Sequence, residues 1–354
     1  MKKHILRTAF IIILILVLGF AAFLAYCTIT DYVPPPRENL YLEGQGLRLP
    51  YDKADFTVMT WNIGYAGLGA ESDFFFDGGH MVRTNLEATE KHLNQILNFL
   101  VALDSVDFIL LQEVDVNSRR TYGINQVKAL QKAMPERVAS FAKNYDSPFV
   151  PIPLRSPYGK VEAGLLSLSR YMPALATRIA LTPDASWPKG LFMLDRCLLE
   201  WRFPLINGRH LILYNLHLSA YDDGSVKQQQ MDSLKAIFLR EYEKGNYIIA
   251  GGDWNQTPPG YSSARQNPHL PPAISVPTEF PASGWKWAFQ TSVPTNRSLE
   301  APYDPANSPT TVIDYFLLSP NLEVLSVRGI DLGFQDSDHQ PVLLQFRIPD
   351  LYFP

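Results

Sequence analysis

Five short apolar runs, FTVMTW, DFILLQ, HLILYNLHL, NYIIAG and VIDYFLL, recur along the chain, each with polar side chains at one end. Their β-branched and aromatic content reads as strands. Between them lie stretches of helical spacing. Residues 86–103 carry Leu86, Leu93, Ile96, Leu97 and Leu100, and residues 226–244 carry Leu234, Ile237, Phe238 and Tyr242, with Gly245 as a stop. Strands alternating with helices predict an α/β protein in which both sheet faces are covered.

The polar ends are the informative part. They bring up Asn62, the pair Gln112–Glu113, Asn215 with His217, Asp253 with Asn255, and Asp314. Asp338 and His339 stand side by side just before the run Val342-Leu343-Leu344. One acid at a strand end is ordinarily a helix cap or a turn former. A whole set predicts convergence at one sheet edge, where α/β proteins build their sites.

These residue types suit a particular chemistry. The Glu113 carboxylate and the Asn62 amide oxygen are hard ligands that match Mg²⁺ or Mn²⁺, whereas zinc would recruit more His or Cys. Asp253 is placed to orient or deprotonate a water, with Asn255 holding a substrate oxygen. In an extended Asp-x-Asn segment both side chains face one way and Trp254 the other. Gly251 and Gly252 are expected to leave room for close approach. His217 and His339 are suited to donate to a phosphate, and Asp314 is the expected partner of His339. Asp338 would point elsewhere, toward the metal or into a loop cap. No Gly-x-x-x-x-Gly-Lys-Ser/Thr or Gly-x-Gly-x-x-Gly pattern supports a nucleotide cofactor, and no Gly-x-Ser-x-Gly supports a serine hydrolase.

Two segments flank the first polar ends. GYAGLGAESDFFFDGG follows Asn62 and is expected to form a wall of the cleft, its phenylalanines mainly packing. VDVNSRRTYGINQ follows Glu113. There Arg119 or Arg120 is positioned to meet a second phosphate or a head group, and Asn125 and Gln126 to line the cleft.

The N-terminus has its own logic. Lys2, Lys3 and Arg7 precede an uncharged, apolar stretch from Thr8 to Thr30. About 20 apolar residues span a bilayer, while a cleaved signal has an apolar core of about 7–15. LAYC, ending at Cys27, resembles a lipoprotein cleavage site, but bulky Tyr26 sits where a small residue is expected. An uncleaved single-pass anchor over residues 1–30 is therefore expected. The basic residues stay cytoplasmic and the rest lies outside. Residues 31–53, with consecutive prolines, read as a stiff linker. Residues 54–354 read as one domain with a Pro-rich surface excursion over 256–309. Two cysteines cannot form a disulfide framework. The net charge of −4 gives no general attraction to a polyanion, and Lys128, Lys132, Arg137 and Lys143 read equally well as a basic groove or as the outer face of a helix.

WN at 61–62, QE at 112–113, NLHL at 215–218, GDWN at 252–255, ID at 313–314 and SDH at 337–339 occur in one order across residues 56–346. That set resembles the endonuclease/exonuclease/phosphatase superfamily. The resemblance implies a four-layered α/β sandwich, two mixed sheets face to face with helices outside, and metal-dependent hydrolysis of a phosphate ester. It implies that Glu113 binds the metal with Asn62 helping, and that Asp338 supports that site. It implies further that Asp253 activates the water, Asn255 contacts the phosphate, and His339 (backed by Asp314) and His217 stabilise its oxygens. With the anchor, the expectation is an extracytoplasmic phosphodiesterase or phosphatase acting on lipid-linked or small phosphate esters. An extracytoplasmic nuclease and a catalytically silent membrane-tethered binding module are the alternatives.

Overall fold

The computed structural model describes residues 2–220, 222, 224–261 and 274–349. Residues 262–273 of the Pro-rich excursion and residues 350–354 of the domain lie outside them. In chain order the elements begin with α1 (Lys2–Ile29), β1 (Arg37–Asn39), β2 (Asp55–Asn62), α2 (Leu86–Ala102), β3 (Phe108–Asp115) and α3 (Gln126–Ala133). Next come β4 (Val138–Val150), β5 (Gly159–Ser169), β6 (Leu175–Ala180), β7 (Cys197–Pro204), β8 (His210–His217), α4 (Ser225–Glu243) and β9 (Tyr247–Asp253). The chain ends with β10 (Lys286–Ala288), β11 (Asn296–Arg297), β12 (Thr310–Thr311), β13 (Asp314–Leu318), β14 (Glu323–Gly329) and β15 (Val342–Arg347).

Among the described residues the strands form a seven-stranded sheet, β1-β6-β7-β8-β9-β13-β10, a six-stranded sheet, β14-β15-β2-β3-β5-β4, and a small β11-β12 pair. β8 pairs β9 and β2 pairs β3 in parallel, and the other ladders are antiparallel. Both large sheets are thus mixed, as expected for the sandwich.

Strand alternation sorts the side chains into layers. Phe56 and Val58 of β2, Phe108 and Leu110 of β3, Leu211 and Leu213 of β8, Ile249 of β9 and Phe316 of β13 fill the space between the sheets. Their neighbours Met59, Trp61, Ile109 and Leu111 face outward and meet Leu93, Ile96 and Leu100 of α2 and Leu130 of α3. On the opposite outer face, Tyr214, Leu216, Ile248 and Ala250 meet Leu234, Ile237 and Phe238 of α4. α2 starts where Asn85 accepts a hydrogen bond from Ala88 N at 2.9 Å. Gly245 follows α4 with φ +81°.

Three sequence expectations change here. The linker is part of the fold at its centre: β1 extends the seven-stranded sheet against β6, and Leu40 and Leu42 pack on the inter-sheet core. The excursion supplies β10 to that sheet's far edge, and buries Val276, Phe280, Trp285 and Ala288. Its prolines hid a segment that is anchored by aromatic packing. Finally, α3 ends at Ala133, so Arg137 and Lys143 lie beyond it, Lys143 within β4.

α1 stands apart from this core. Among the described residues it is the one helix long and apolar enough to cross a membrane by length and composition.

Candidate active site

The register of three adjacent strands places the central residues in one row. His217 of β8 lies opposite Asp253 of β9, and Asp253 lies opposite Asp314 of β13. By alternation from Leu213, Ile249 and Phe316, all three point between the sheets. Asn62, which ends β2 opposite Gln112, reaches the same point from the other sheet. Behind the row, the buried Gln112 donates to Asn215 Oδ1 at 2.7 Å, and Asn215 Nδ2 donates to Leu111 O and Leu166 O at 3.0 and 3.1 Å. These two motif residues therefore tie one sheet to the other and hold the site's floor. The cleft above encloses about 260 Å³.

Asp253 is the hub. Its Oδ2 accepts from Asn62 Nδ2 at 3.0 Å, and His217 Nε2 and His339 Nε2 approach it at 3.5 and 3.7 Å. Its Oδ1 accepts from the backbone N–H of Asn255 at 2.9 Å. Burial pushes the Asp253 carboxyl up to about 6 against the pull of His339. His339 Nδ1 pairs with Asp314 Oδ2 at 2.8 Å. Burial alone would lower that imidazole, but Asp314, Asp338 and Asp253 hold it well above its ordinary value. His217 goes the other way, far down, through burial and then Arg196 and His339. Near neutral pH these opposite directions favour the charged form of His339 and the neutral form of His217.

The cation-binding possibilities follow from the donors. Ligand atoms of Asp253, Asp314 and His339 lie within 4.8 Å of one another. Asp314 and His339 are already hydrogen-bonded, so this trio is a relay and not a cage. Glu113 and Asp338 are the better pair. Both line the cleft, and burial raises Asp338 to about 7, with the Glu113 charge adding to the rise. Two carboxylates lining one cleft have the hard-oxygen chemistry that a divalent cation takes.

Glu113 reaches the cleft by a backbone irregularity. In β3, Phe108 and Leu110 face the inter-sheet core and Ile109 and Leu111 the helices, so residue 113 would face outward. The β3–β5 register shifts between Leu111 and Val114, and Glu113 sits at φ +54°. This bulge turns its carboxylate inward, where Oε1 accepts from Asn62 Nδ2 at 3.1 Å.

Several expectations are corrected. Asn62 does not present its amide oxygen to the cation site: Oδ1 accepts from Gly64 N at 3.0 Å, while Nδ2 bridges Glu113 and Asp253. Two carboxylate acceptors dictate that orientation. Asn255 lines the cleft but not through strand alternation. β9 ends at Asp253, and Asn255 takes φ +48° in a turn, its Nδ2 donating to Leu218 O at 2.9 Å. The two glycines serve the sheet instead of a ligand. A Cβ on Gly251 would lie 2.4 Å from the Phe316 ring, and one on Gly252 (φ +150°) 2.0 Å from Leu216 O. Trp254 does support the turn from behind, stacked on Tyr315 at 5.4 Å. Asp338 takes the first of its two expected places: it lines the cleft with Glu113, where the cation site was expected.

The arginine segment is also settled by geometry. Arg119 is exposed and donates to Pro157 O at 2.9 Å. Arg120 borders the cleft but is buried, held by Asp115 through Nε and Nη2 at 2.7–3.2 Å, with Nη1 donating to Tyr158 Oη and the guanidinium 3.7 Å from the Tyr65 ring. Asn125 caps α3, accepting from Lys128 N at 2.9 Å, and Gln126 is buried between Asp115 N and Tyr65 O. Arg120, Asn125 and Gln126 are thus committed to internal partners, and Arg119 is exposed but does not line the cleft.

Sequence reasoning missed Asn296. It pairs with His339 across an isolated bridge, and its side chain lies 3.0 Å from His339 Nε2. Nothing local marks it, because β11 is two residues long. Its neighbour Arg297, fully buried, donates to the carbonyls of Leu68, Gly69 and Ser72 and pins the segment after Asn62 as the cleft wall. Phe74 and Phe76 of that segment line the cleft.

Two mixed sheets face to face with helices outside define a four-layered α/β sandwich, with acids and histidines gathered at the strand ends. The chain belongs to the Endonuclease/Exonuclease/phosphatase family, whose profile matches residues 59–339. Solved structures agree in fold. An endonuclease/exonuclease/phosphatase from Beutenbergia cavernae DSM 12333 is 17% identical, with a TM-score of 0.56 over 84% of this chain and 72% of that one. One from Bacteroides vulgatus is 18% identical, with 0.53 over 84% and 100%. ANGEL2, a 2',3'-cyclic phosphatase, is 17% identical, with 0.52 over 88% and 99%. No curated protein matches the sequence.

Proposed function

We propose that this protein is a divalent-metal-dependent hydrolase of phosphate esters, anchored by α1, with its cleft outside the cytoplasm and lipid-linked or small esters as substrates. The observation that carries the reading is Asp253 set between the charged Asp314–His339 pair and the Glu113–Asp338 carboxylates. Asp253, ionised above about pH 6, accepts the proton of the attacking water. His339 donates from Nε2 to a phosphoryl oxygen, its Nδ1 proton held by Asp314. His217, kept neutral, donates from one ring nitrogen on the other side, and Asn255 orients the phosphate. Glu113 and Asp338 hold the cation, Mg²⁺ or Mn²⁺, and Asn62 fixes Glu113 against Asp253. When bound, that cation neutralises phosphate charge and stabilises the leaving oxygen.

A nuclease fits the cleft less well. Its basic side chains are paired internally: Arg120 with Asp115, Arg196 with Asp184 and Lys227 with Asp222. A polyanion needs unpaired cations along its path. The test is a turnover screen with Mg²⁺, Mn²⁺ and Ca²⁺ over plasmid DNA, phospholipids, and sugar and inositol phosphates. Turnover of DNA alone replaces the substrate reading, and turnover of nothing supports the silent module.

The carboxylates give an independent readout. Asp253 and Asp338 have folded values raised by burial, so the stability they add is full at acid pH and is lost as pH rises through about 6 to 7. A bound cation offsets that loss. Mg²⁺ or Mn²⁺ at about 100 times Kd should stabilise by about 2.7 kcal/mol, with a larger melting shift at pH 8 than at pH 5. Glu113→Gln combined with Asp338→Asn should remove the shift; a shift that persists places the cation elsewhere.

A further inference from the structure

α1 meets the domain only through its last turns. It is exposed through residue 22, after which Phe23 and Leu24 are half-buried and Cys27 is buried. The Phe23 ring stacks on Phe192 at 6.0 Å and 4° and meets Phe149 edge-on at 6.0 Å. Nearby, Trp187 Nε1 donates to Thr28 Oγ1 at 3.1 Å. Phe192 belongs at the same time to the cleft wall, with Met193 and Leu194. One short segment therefore touches the helix on one side and the cleft on the other.

Helix length sets the level of this contact. From Arg7 to Phe23 the helix rises about 24 Å at about 1.5 Å per residue, and with the long Arg7 side chain reaching out to the head groups this approaches the hydrocarbon thickness of about 30 Å. Phe23 then marks the interface, and the loops beside it lie at head-group depth. Those loops have the composition for it: Trp187 and Leu154 are 63% and 85% exposed, and Arg155 and Lys189 are exposed next to them. Exposed indole, aliphatic tips and cations are what an interface holds.

We propose that the loops 151–157 and 186–194 rest on the bilayer that holds α1, and that the cleft takes its substrate, a phospholipid, from that same bilayer. This rests on the hydrolase reading above. The phosphate lies at Asp253 and His339, and the apolar part leaves past Phe192, Met193 and Phe76. A small soluble ester has no use for that aromatic wall. In the reaction the water oxygen bonds to phosphorus, one P–O ester bond breaks, and the water proton passes to the departing alcohol.

The test uses the full chain in nanodiscs of phosphatidylcholine and phosphatidylglycerol with Mg²⁺, following phosphodiester loss by phosphorus NMR and, in parallel, hydrolysis of bis(p-nitrophenyl) phosphate. Lipid in the protein's own disc should be consumed and lipid in separate protein-free vesicles left intact. Trp187→Ser with Leu154→Ser should slow lipid turnover at least tenfold and leave the soluble ester unchanged. Brominated phosphatidylcholine should quench tryptophan fluorescence, and Trp187→Phe should remove the quenched component. Equal slowing on both substrates, or quenching that survives Trp187→Phe, overturns the docking. Turnover of the soluble ester without loss of lipid overturns the substrate assignment and leaves the hydrolase reading standing. No turnover of either, with quenching intact, overturns the hydrolase reading and leaves the docking.

Discussion

Asp253→Asn should lower kcat by about 10³-fold on any ester the protein hydrolyses, within the range that a positioned proton acceptor supplies, while KM changes little. The substitution keeps shape and one acceptor oxygen, which serves the Asn255 N–H and preserves the turn after β9, while its NH2 replaces the oxygen that accepted from Asn62 Nδ2. It also removes a carboxylate that burial has raised to about 6. At pH 8 the relieved burial of that charge offsets the lost Asn62 bond, so the variant should melt within a few degrees of the parent without added cation, and unfolding does not account for the loss. Turnover and thermal melting on one preparation check both halves; activity within tenfold of the parent assigns the water to another group. Wild-type activity should fall on the acid side as Asp253 takes up its proton, with the limb moving to lower pH as cation is added.

Arg120→Leu should destabilise the domain by about 3–5 kcal/mol, because it strands the Asp115 carboxylate in the interior. Asp115 is fully buried and accepts three hydrogen bonds from Arg120 and one from Thr121. The remaining Thr121 hydroxyl does not compensate that charge. Arg119→Ala, by contrast, removes one exposed contact to Pro157 O and should shift stability by no more than about 0.5 kcal/mol. Removing both charges with Asp115→Leu and Arg120→Leu should cost less than Arg120→Leu alone. Urea unfolding of the four proteins decides it; equal costs for Arg119 and Arg120 would return Arg120 to the role of a substrate contact.

The neighbouring arginines show how far local sequence reaches. Composition offered either one as an anion receptor, and their separate fates depend on Asp115 and Tyr158, the latter 38 residues from Arg120 in the chain. Asn125 was legible as a polar residue near the site, but its place before α3 made it a cap. Asn296 carried no signal, since its importance comes from a two-residue strand meeting His339. The linker and excursion were misread for a related reason. Proline and polar residues mark irregular backbone, yet Leu40 and Ala288 find apolar partners on strands, and Trp285 on α4, all distant in sequence.

The amino-acid sequence by itself determined the alternation of strands and helices, the family, the apolar N-terminal helix, and the identity of the polar residues at the strand ends. Period-two and period-3.6 patterning is local, so it survives without a partner. Tertiary structure alone decided the directions. The bulge turned Glu113 into the cleft, the left-handed turn set Asn255, and two carboxylates rotated Asn62. The packing of Phe23 on Phe192 placed α1 against the cleft wall. Each of these depends on which surfaces meet across the fold, a matter of register and long-range contact that no local pattern encodes.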